Sequence, residues 1–264
     1  MAWHATTVND DTSWTEVFTS VFEVPTSAVE ARIWAETYGE EYPAELEPYS
    51  FTTRSELRRI TDELALSRGD LLIDVGCGRG GPGLWVALTA GASVLGVDIS
   101  PTALEAARQR AVALGLSDSA AYSEGSFDTI PADNASARGV MSIDSLLFAP
   151  DKGVAIREIA RVLVRGGRFV ATTWDYHTQP VNRPPQVDDH RPHLIEAGFR
   201  VVGYDETPDW LANHRKLDSL MLDAVDELAE ESGDSPEEVR AGIEEMAATV
   251  DTMLRRVLII AEKL

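Results

Sequence analysis

The chain has a single cysteine, Cys77, among its 264 residues. That excludes an internal disulfide and a multi-cysteine zinc site, and it fits a reducing compartment. Basic residues are also scarce: 23 Lys and Arg stand against 44 Asp and Glu, a formal net charge of -21. So acidic a surface repels phosphate backbones and anionic lipid, which makes nucleic acid and membrane poor partners. No uncharged apolar run approaches the roughly 18 residues that a membrane-spanning helix needs. The opening MAWHATTVNDDTSW has neither the basic stretch nor the apolar core of an export signal. Repeats and low-complexity tracts are missing too. These absences point to a soluble, cytoplasmic protein.

What is present has the length of one α/β domain. Across residues 14–39, Val17, Val21 and Phe22 recur at helical spacing, with Pro25 expected to open a second segment that Gly39 closes. An irregular connector, EEYPAELEPYSFTT, precedes a helix expected from Ser55 to Ser67 with Leu57, Ile60, Leu64 and Leu66 on one face. From residue 70, short apolar runs at 71–75, 93–97, 138–143 and 168–173, and a weaker one near 120–124, alternate with amphipathic stretches at 82–90, 101–114 and 151–164. Runs that short and that apolar read as strands buried on both faces, and the alternation predicts an open parallel sheet. Further on, the pattern predicts a short helix (187–197), a strand (199–204), acidic helices at 209–231 and 236–254, and a last strand in RVLIIAEKL. Ser235, Pro236 and Glu238 supply a cap, a first-turn proline and a capping-box acid for the final helix.

The chemistry is concentrated in LLIDVGCGRGGPG, residues 71–83. Gly76, Gly78 and Gly81 satisfy the dinucleotide fingerprint G-x-G-x-x-G. A dinucleotide turn, however, must receive a pyrophosphate at a helix N-terminus, and the carboxylate of Asp74 opposes an anion there. A ligand that brings positive charge, an ammonium or a sulfonium, would instead welcome that acid. About 70 residues also precede this strand, whereas dinucleotide folds commonly begin with it.

Taken together, Asp74-Val75-Gly76-Cys77-Gly78-Arg79-Gly80, Gly96-Val97-Asp98-Ile99-Ser100, and Arg161-Val162-Leu163 with Gly166-Gly167-Arg168 resemble the class I S-adenosylmethionine-dependent methyltransferases. The small-molecule branch of ubiquinone and natural-product pathways is the best match, and the likeness covers roughly residues 70–175. It implies a doubly wound, seven-stranded, mostly parallel α/β sheet of order 3-2-1-4-5-7-6, the last strand antiparallel, under a helical cap. It further implies one domain over 1–264: a helical lid (1–54), a Rossmann-like core (55–205), a helical cap insertion (206–254) and a closing strand (255–264).

The resemblance also assigns roles. Gly76, Gly78 and Gly80 would let the backbone approach S-adenosylmethionine, and Asp74 would face its cationic methionine end. Asp98 would take the ribose hydroxyls, bidentately as a carboxylate can, and Ile99 would pack on adenine. Ser126 stands where the family often has an acid, so the adenine edge is left to Ser126, with Phe127 beside the ring, or to Asp128. Asp144 would lie near the methionine ammonium or cap a helix near Leu146. Tyr38 resembles a cofactor-covering tyrosine. Cys77 reads as a small filler of the turn.

For the acceptor, the resemblance implies a small organic molecule beneath an aromatic lining drawn from Trp34, Tyr38, Tyr42, Phe148, Trp174, Tyr176 and Trp210. Asp144 and Asp175 could meet, but Tyr176 replaces the asparagine of the magnesium-dependent enzymes, so no metal is expected. His177, directly after the fifth strand, is the best-placed general base on sequence grounds, with His190, His193 and His214 competing. Oxygen is the expected acceptor atom, then carbon, then nitrogen. The alternative is a methyltransferase-like protein whose bound sulfonium promotes a cyclisation or rearrangement.

Overall fold

The computed structural model describes residues 13–264; the reading of the extreme N-terminus as lacking an export signal falls mostly on residues outside them. The described chain opens with α1 (Trp14–Glu23) and α2 (Ala28–Tyr38). Ser13 and Ser27 start these helices, their hydroxyls accepting the N–H groups of Glu16 and Glu30, donors that a helix start leaves open. The second helix therefore begins three residues beyond Pro25, at the serine cap. Two short turns, Gly39–Glu41 and Ala44–Leu46, lead to α3 (Arg54–Leu64).

Strands and helices then alternate: β1 (Leu71–Val75), α4 (Gly81–Ala90), β2 (Ser93–Asp98), α5 (Pro101–Ala113) and β3 (Ala120–Glu124). They continue through β4 (Ala137–Ile143), α6 (Lys152–Val162), β5 (Leu163–Tyr176), α7 (Arg191–Glu196) and β6 (Phe199–Glu206). The chain ends with α8 (Trp210–Asp223), α9 (Val225–Ser232), α10 (Pro236–Val250) and β7 (Met253–Lys263).

Several boundaries differ from expectation: α3 stops at Leu64 and α10 at Val250, both short of the expected ends, and three others differ more in kind. The strand expected at 168–173 extends over Leu163–Tyr176 because Leu163 pairs with Ala137 at one end and Trp174–Tyr176 pair with β7 at the other. The helix expected at 187–197 is only Arg191–Glu196, since the Val187 carbonyl is held extended by the Tyr176 N–H. The helix expected at 209–231 breaks at Ala224, which turns Val225, Leu228 and Ala229 toward the same apolar cluster as Leu217 and Met221.

The sheet runs β3-β2-β1-β4-β5-β7-β6, parallel except for β7, which lies antiparallel to both β5 and β6. The order matches the one implied by the sequence. Strand order reverses between β1 and β4, and at such a switch point the carboxyl ends of the strands open a crevice. Asp74, Asp98 and Ile143 all reach that edge. Buried clusters cover the two faces of the sheet, and a third joins α2, α8, α9 and α10 over Trp174 and Tyr176. Among the described residues, no helix is long and apolar enough to cross a membrane.

One side chain ties these parts together. Arg256 of β7 is 1% exposed, and its fork meets two carboxylates. Nε and Nη2 donate to Asp144 at 3.0 and 3.1 Å, while Nη1 and Nη2 donate to Glu56 of α3 at 2.8 and 2.9 Å. Nη1 also reaches Thr207 Oγ1 at 3.0 Å. Asp144 in turn accepts the Phe51 N–H at 2.9 Å, which anchors the N-terminal connector. Bidentate geometry of this kind suits a guanidinium better than an ammonium.

Removing one partner of a buried pair leaves an uncompensated charge. Arg256→Met is therefore expected to cost about 3–5 kcal/mol in urea unfolding. Arg32→Met, which breaks a pair exposed on both sides with Glu227, should cost less than about 1 kcal/mol. Equal losses would remove Arg256 from this role.

Candidate active site

A cleft of about 270 Å³ lies where the glycine loop leaves β1. Gly76, Gly78 and Gly80 border it, all with left-handed φ (75°, 51° and 75°). At Gly76 both conformation and space require glycine: a Cβ would stand 2.5 Å from Ser145 Cβ. The Gly76 and Cys77 N–H groups both bond the Val97 carbonyl, which locks the loop against β2. Cys77 is buried in the turn, and burial pushes its thiol well above the usual range, as suits a filler.

Two acids sit on the cleft wall. Asp98, 8% exposed, accepts the Gly78 N–H on Oδ2 at 2.8 Å and the Ser100 N–H on Oδ1 at 2.9 Å. Burial raises its pKa, and those bonds oppose the rise. Asp74, 3% exposed, is pushed up to about 7 by burial and by the charge of Asp98. A buried carboxyl so poised favours a cationic ligand, whose charge would pull it back to the ionised form. Ile99 and Phe127 supply apolar wall, and the Ser126 hydroxyl donates to Asp128, so the two candidates for one role stand side by side.

A second cavity, of about 200 Å³, adjoins the first beneath the cap. Trp14, Phe18, Tyr49, Ser50, Asp144 and Phe148 line both. Phe148 packs against Trp14 and Phe18 at 5.0 and 4.8 Å between ring centres. Deeper in, the lining combines Trp174, Tyr176, Leu217 and Met246 with His214 and Asp218. His214 stacks on Phe51 at 3.8 Å, and its Nδ1 lies 3.2 Å from the Trp210 carbonyl. A carbonyl only accepts, so Nδ1 carries the hydrogen and Nε2 the lone pair. Burial, reinforced by Arg256, lowers His214 to about 4 and keeps it neutral. Burial raises Asp218 to about 6.

Other expected residues lie elsewhere. His177 is exposed, its ring bonded to Thr178 at 2.9 Å, and it lines neither cavity. Its backbone N–H bonds the Thr252 carbonyl just after α10. His190 is sealed against Asp175 at 2.9 Å, and His193 also lines neither cavity. Tyr38 stacks on Trp34 at 5.7 Å and reaches a separate pocket beside Arg256, not the cleft. Tyr49, Trp14 and Phe18 cover the cleft instead; the aromatic repeat Trp14, Phe18, Phe22 at helical spacing was the available signal. Asp144 caps no helix, because the turn Leu146–Phe148 follows Ser145 and the carboxylate belongs to Arg256. Asp175 is likewise engaged, by Arg255 at 2.8 Å. Of the expected aromatic lining, Phe148, Trp174 and Tyr176 reach the second cavity, while Trp34, Tyr42 and Trp210 pack inside the cap cluster.

Comparison with known proteins agrees with this geometry. A family model described as a methyltransferase domain matches residues 73–171. Methyltransferase GfsG of Streptomyces halstedii is 33% identical over 48% of this chain and 46% of its own length, so the match spans about half of that relative. O-methyltransferase resE of Aspergillus sclerotiorum is 30% identical over 64% of this chain and 69% of its own. Among solved structures, the [4+2]-cyclase SpnF shares the fold with a TM-score of 0.68 at 21% identity, covering 94% of this chain and 92% of that one.

The raised carboxyl of Asp74 has a consequence for stability. Its folded pKa, about 7, exceeds its ordinary 3.8, so the stability it contributes is full below about pH 4 and lost as pH rises through 7. Asp74→Asn removes that loss. The ligand-free variant is expected to melt about 2–4 °C above the wild type at pH 8, the equivalent of about 1 kcal/mol, and to show no such gain at pH 4. A melt unchanged at both values would contradict the buried-acid account.

Proposed function

The chain belongs to the S-adenosylmethionine-dependent methyltransferases, and from that premise we propose that it methylates a small organic molecule held in the aromatic cavity, with the cofactor in the glycine-loop cleft. The observation that carries the proposal is the wall shared by the two chambers: Trp14, Phe18, Tyr49, Ser50, Asp144 and Phe148 border both. Two ligands meeting there are held for an in-line displacement, and alignment of this kind supplies much of the acceleration available to such a reaction.

The residues present fit the cofactor. The backbone at Gly76 approaches so closely that a Cβ would fill the cradle, and Gly78 and Gly80 continue it. Asp98, held by two backbone N–H groups, would accept the ribose hydroxyls, with Ile99 and Phe127 against adenine and Ser126 with Asp128 at its edge. Asp74 would face the cationic end. Asp144 is neutralised by Arg256, so its contribution to that end would be positional. S-adenosylmethionine, when bound, supplies an electrophilic methyl on a sulfonium. The N-terminal helices and α8–α10 would act as the lid and cap that exclude water.

Oxygen is the acceptor we favour, ahead of carbon and nitrogen. Support comes from His214, whose unprotonated Nε2 and fixed ring can take a hydroxyl proton. The kinship with resE, named as an O-methyltransferase, points the same way. A second reading keeps the fold and drops the transfer: the likeness to SpnF, a [4+2]-cyclase by name, is the observation that favours it. Methyl-labelled S-adenosylmethionine separates the two. Label in the product supports methylation, and turnover without label overturns it.

Two substitutions test the assignments. His214→Ala is expected to lower turnover by about 10²–10⁴, the usual worth of general base catalysis, with S-adenosylhomocysteine affinity unchanged, while His177→Ala behaves as wild type. The reverse pattern would restore His177. Asp98→Ala should weaken S-adenosylhomocysteine binding by about 1.5–3 kcal/mol, the range for hydrogen bonds to a charged group; unaltered affinity by calorimetry would refute the ribose role.

A further inference from the structure

The aromatic cavity carries polar groups that the transfer reaction does not use. Tyr176, 3% exposed, lines it, and its hydroxyl has no hydrogen-bond partner among the described residues. Asp218 lines it as well, with Oδ2 buried and equally unpartnered, and so is the Nε1 of Trp174. The Nε of Arg183, in the same lining, is likewise buried without a partner. Buried polar atoms are nearly always satisfied, so four orphans in one chamber mark the place of a missing partner. Neither Tyr176 nor Asp218 lines the glycine-loop cleft. Whatever they bind is therefore displaced from the shared wall where the methyl would arrive.

Resting on the two-chamber reading above, we propose that the cavity is built for a neutral apolar molecule with at least two hydroxyl groups, one held by Asp218 and Tyr176 and a different one presented for methylation. The chemistry of the orphans selects a hydroxyl. Asp218 Oδ2 needs a donor, whereas Trp174 Nε1 and Arg183 Nε need acceptors and Tyr176 can be either. A hydroxyl donates and accepts, so it suits both kinds of orphan; a carbonyl or an ether leaves the carboxylate unpaired. An anionic group would meet one cation, Arg183, against two acids, Asp218 and Glu245, in the same lining, and the net charge of -21 also opposes it. A cation is repelled by the Arg183 guanidinium, which already lies over Trp14 and Phe148 at 5.6 and 5.5 Å. Failure to engage the second hydroxyl leaves these atoms buried and unpaired, the situation in which polar sites discriminate most strongly.

Three probes test the assignment on the full chain with S-adenosylhomocysteine present: a naphthalenediol, its dimethyl ether, and naphthylmethylammonium. Equilibrium dialysis is expected to show the diol bound at least about tenfold tighter than the ether, a modest share of what such sites can reach. Asp218→Leu and Tyr176→Phe should each cut that advantage by about threefold or more, as loss of one buried hydrogen bond does, with the Kd of the ether changed less than about twofold. Ether binding as tight as diol binding, ammonium binding tighter than both, or an advantage that survives both substitutions overturns the proposal. Titration of S-adenosylhomocysteine alone separates the two levels of inference. Its binding to wild type and variants alike shows an intact fold and cleft. Its failure to bind the wild type refutes the cofactor reading, while the probe ratios still decide the chemistry of the cavity.

Discussion

A guanidinium removed from water must be answered on every edge, and in this protein the answer to Arg256 determines where the two chambers lie. The carboxylates that meet it come from the tip of β4 and from α3, 112 and 200 residues away along the chain. The Thr207 N–H closes on the Arg256 backbone carbonyl, which seats the start of the cap. Through Asp144 the same group holds the Phe51 amide and so the connector between lid and core. In other proteins, well-packed apolar side chains often replace such a buried ionic group at no loss of stability. What the ionic arrangement provides is direction: a fork with two carboxylates fixes angles as well as contacts.

The electrostatics of the cleft follow a related logic with the opposite outcome. Asp74 and Asp98 are buried near one another without a side-chain cation between them, and burial raises both. The ligand-free protein therefore carries a local penalty at neutral pH that a positively charged ligand relieves. Affinity and stability are set against each other at Asp74, as is common where a binding site is tuned for an absent charge.

Much of this was legible in the sequence, and the legible parts are local. The glycine loop, Asp98 at a strand tip, and Ser100 with Pro101 at a helix start are decided within a few residues of chain, and the strand order follows from the family likeness. The catalytic side was not legible, because it depends on rotations that no local pattern records. His177 adjoins the end of a central strand, yet its side chain is exposed and lines neither chamber. His214 was one histidine among several until the Trp210 carbonyl and the Phe51 ring fixed its orientation. Tyr38 ends α2 and Tyr49 lies eleven positions on, in the connector; Tyr38 packs on Trp34 while Tyr49 lines the cleft, a choice that only tertiary packing makes. Arg256 reads as the polar start of a strand until its distant carboxylates are seen.

The position of α1 carries one more implication. Trp14 and Phe18 stand over both chambers, and Arg79 of the glycine loop grips the end of that helix through the Val24 carbonyl at 2.7 Å and Thr26 Oγ1 at 2.9 Å. A single ten-residue helix is thus a wall common to both chambers, so any displacement of it reshapes the two together.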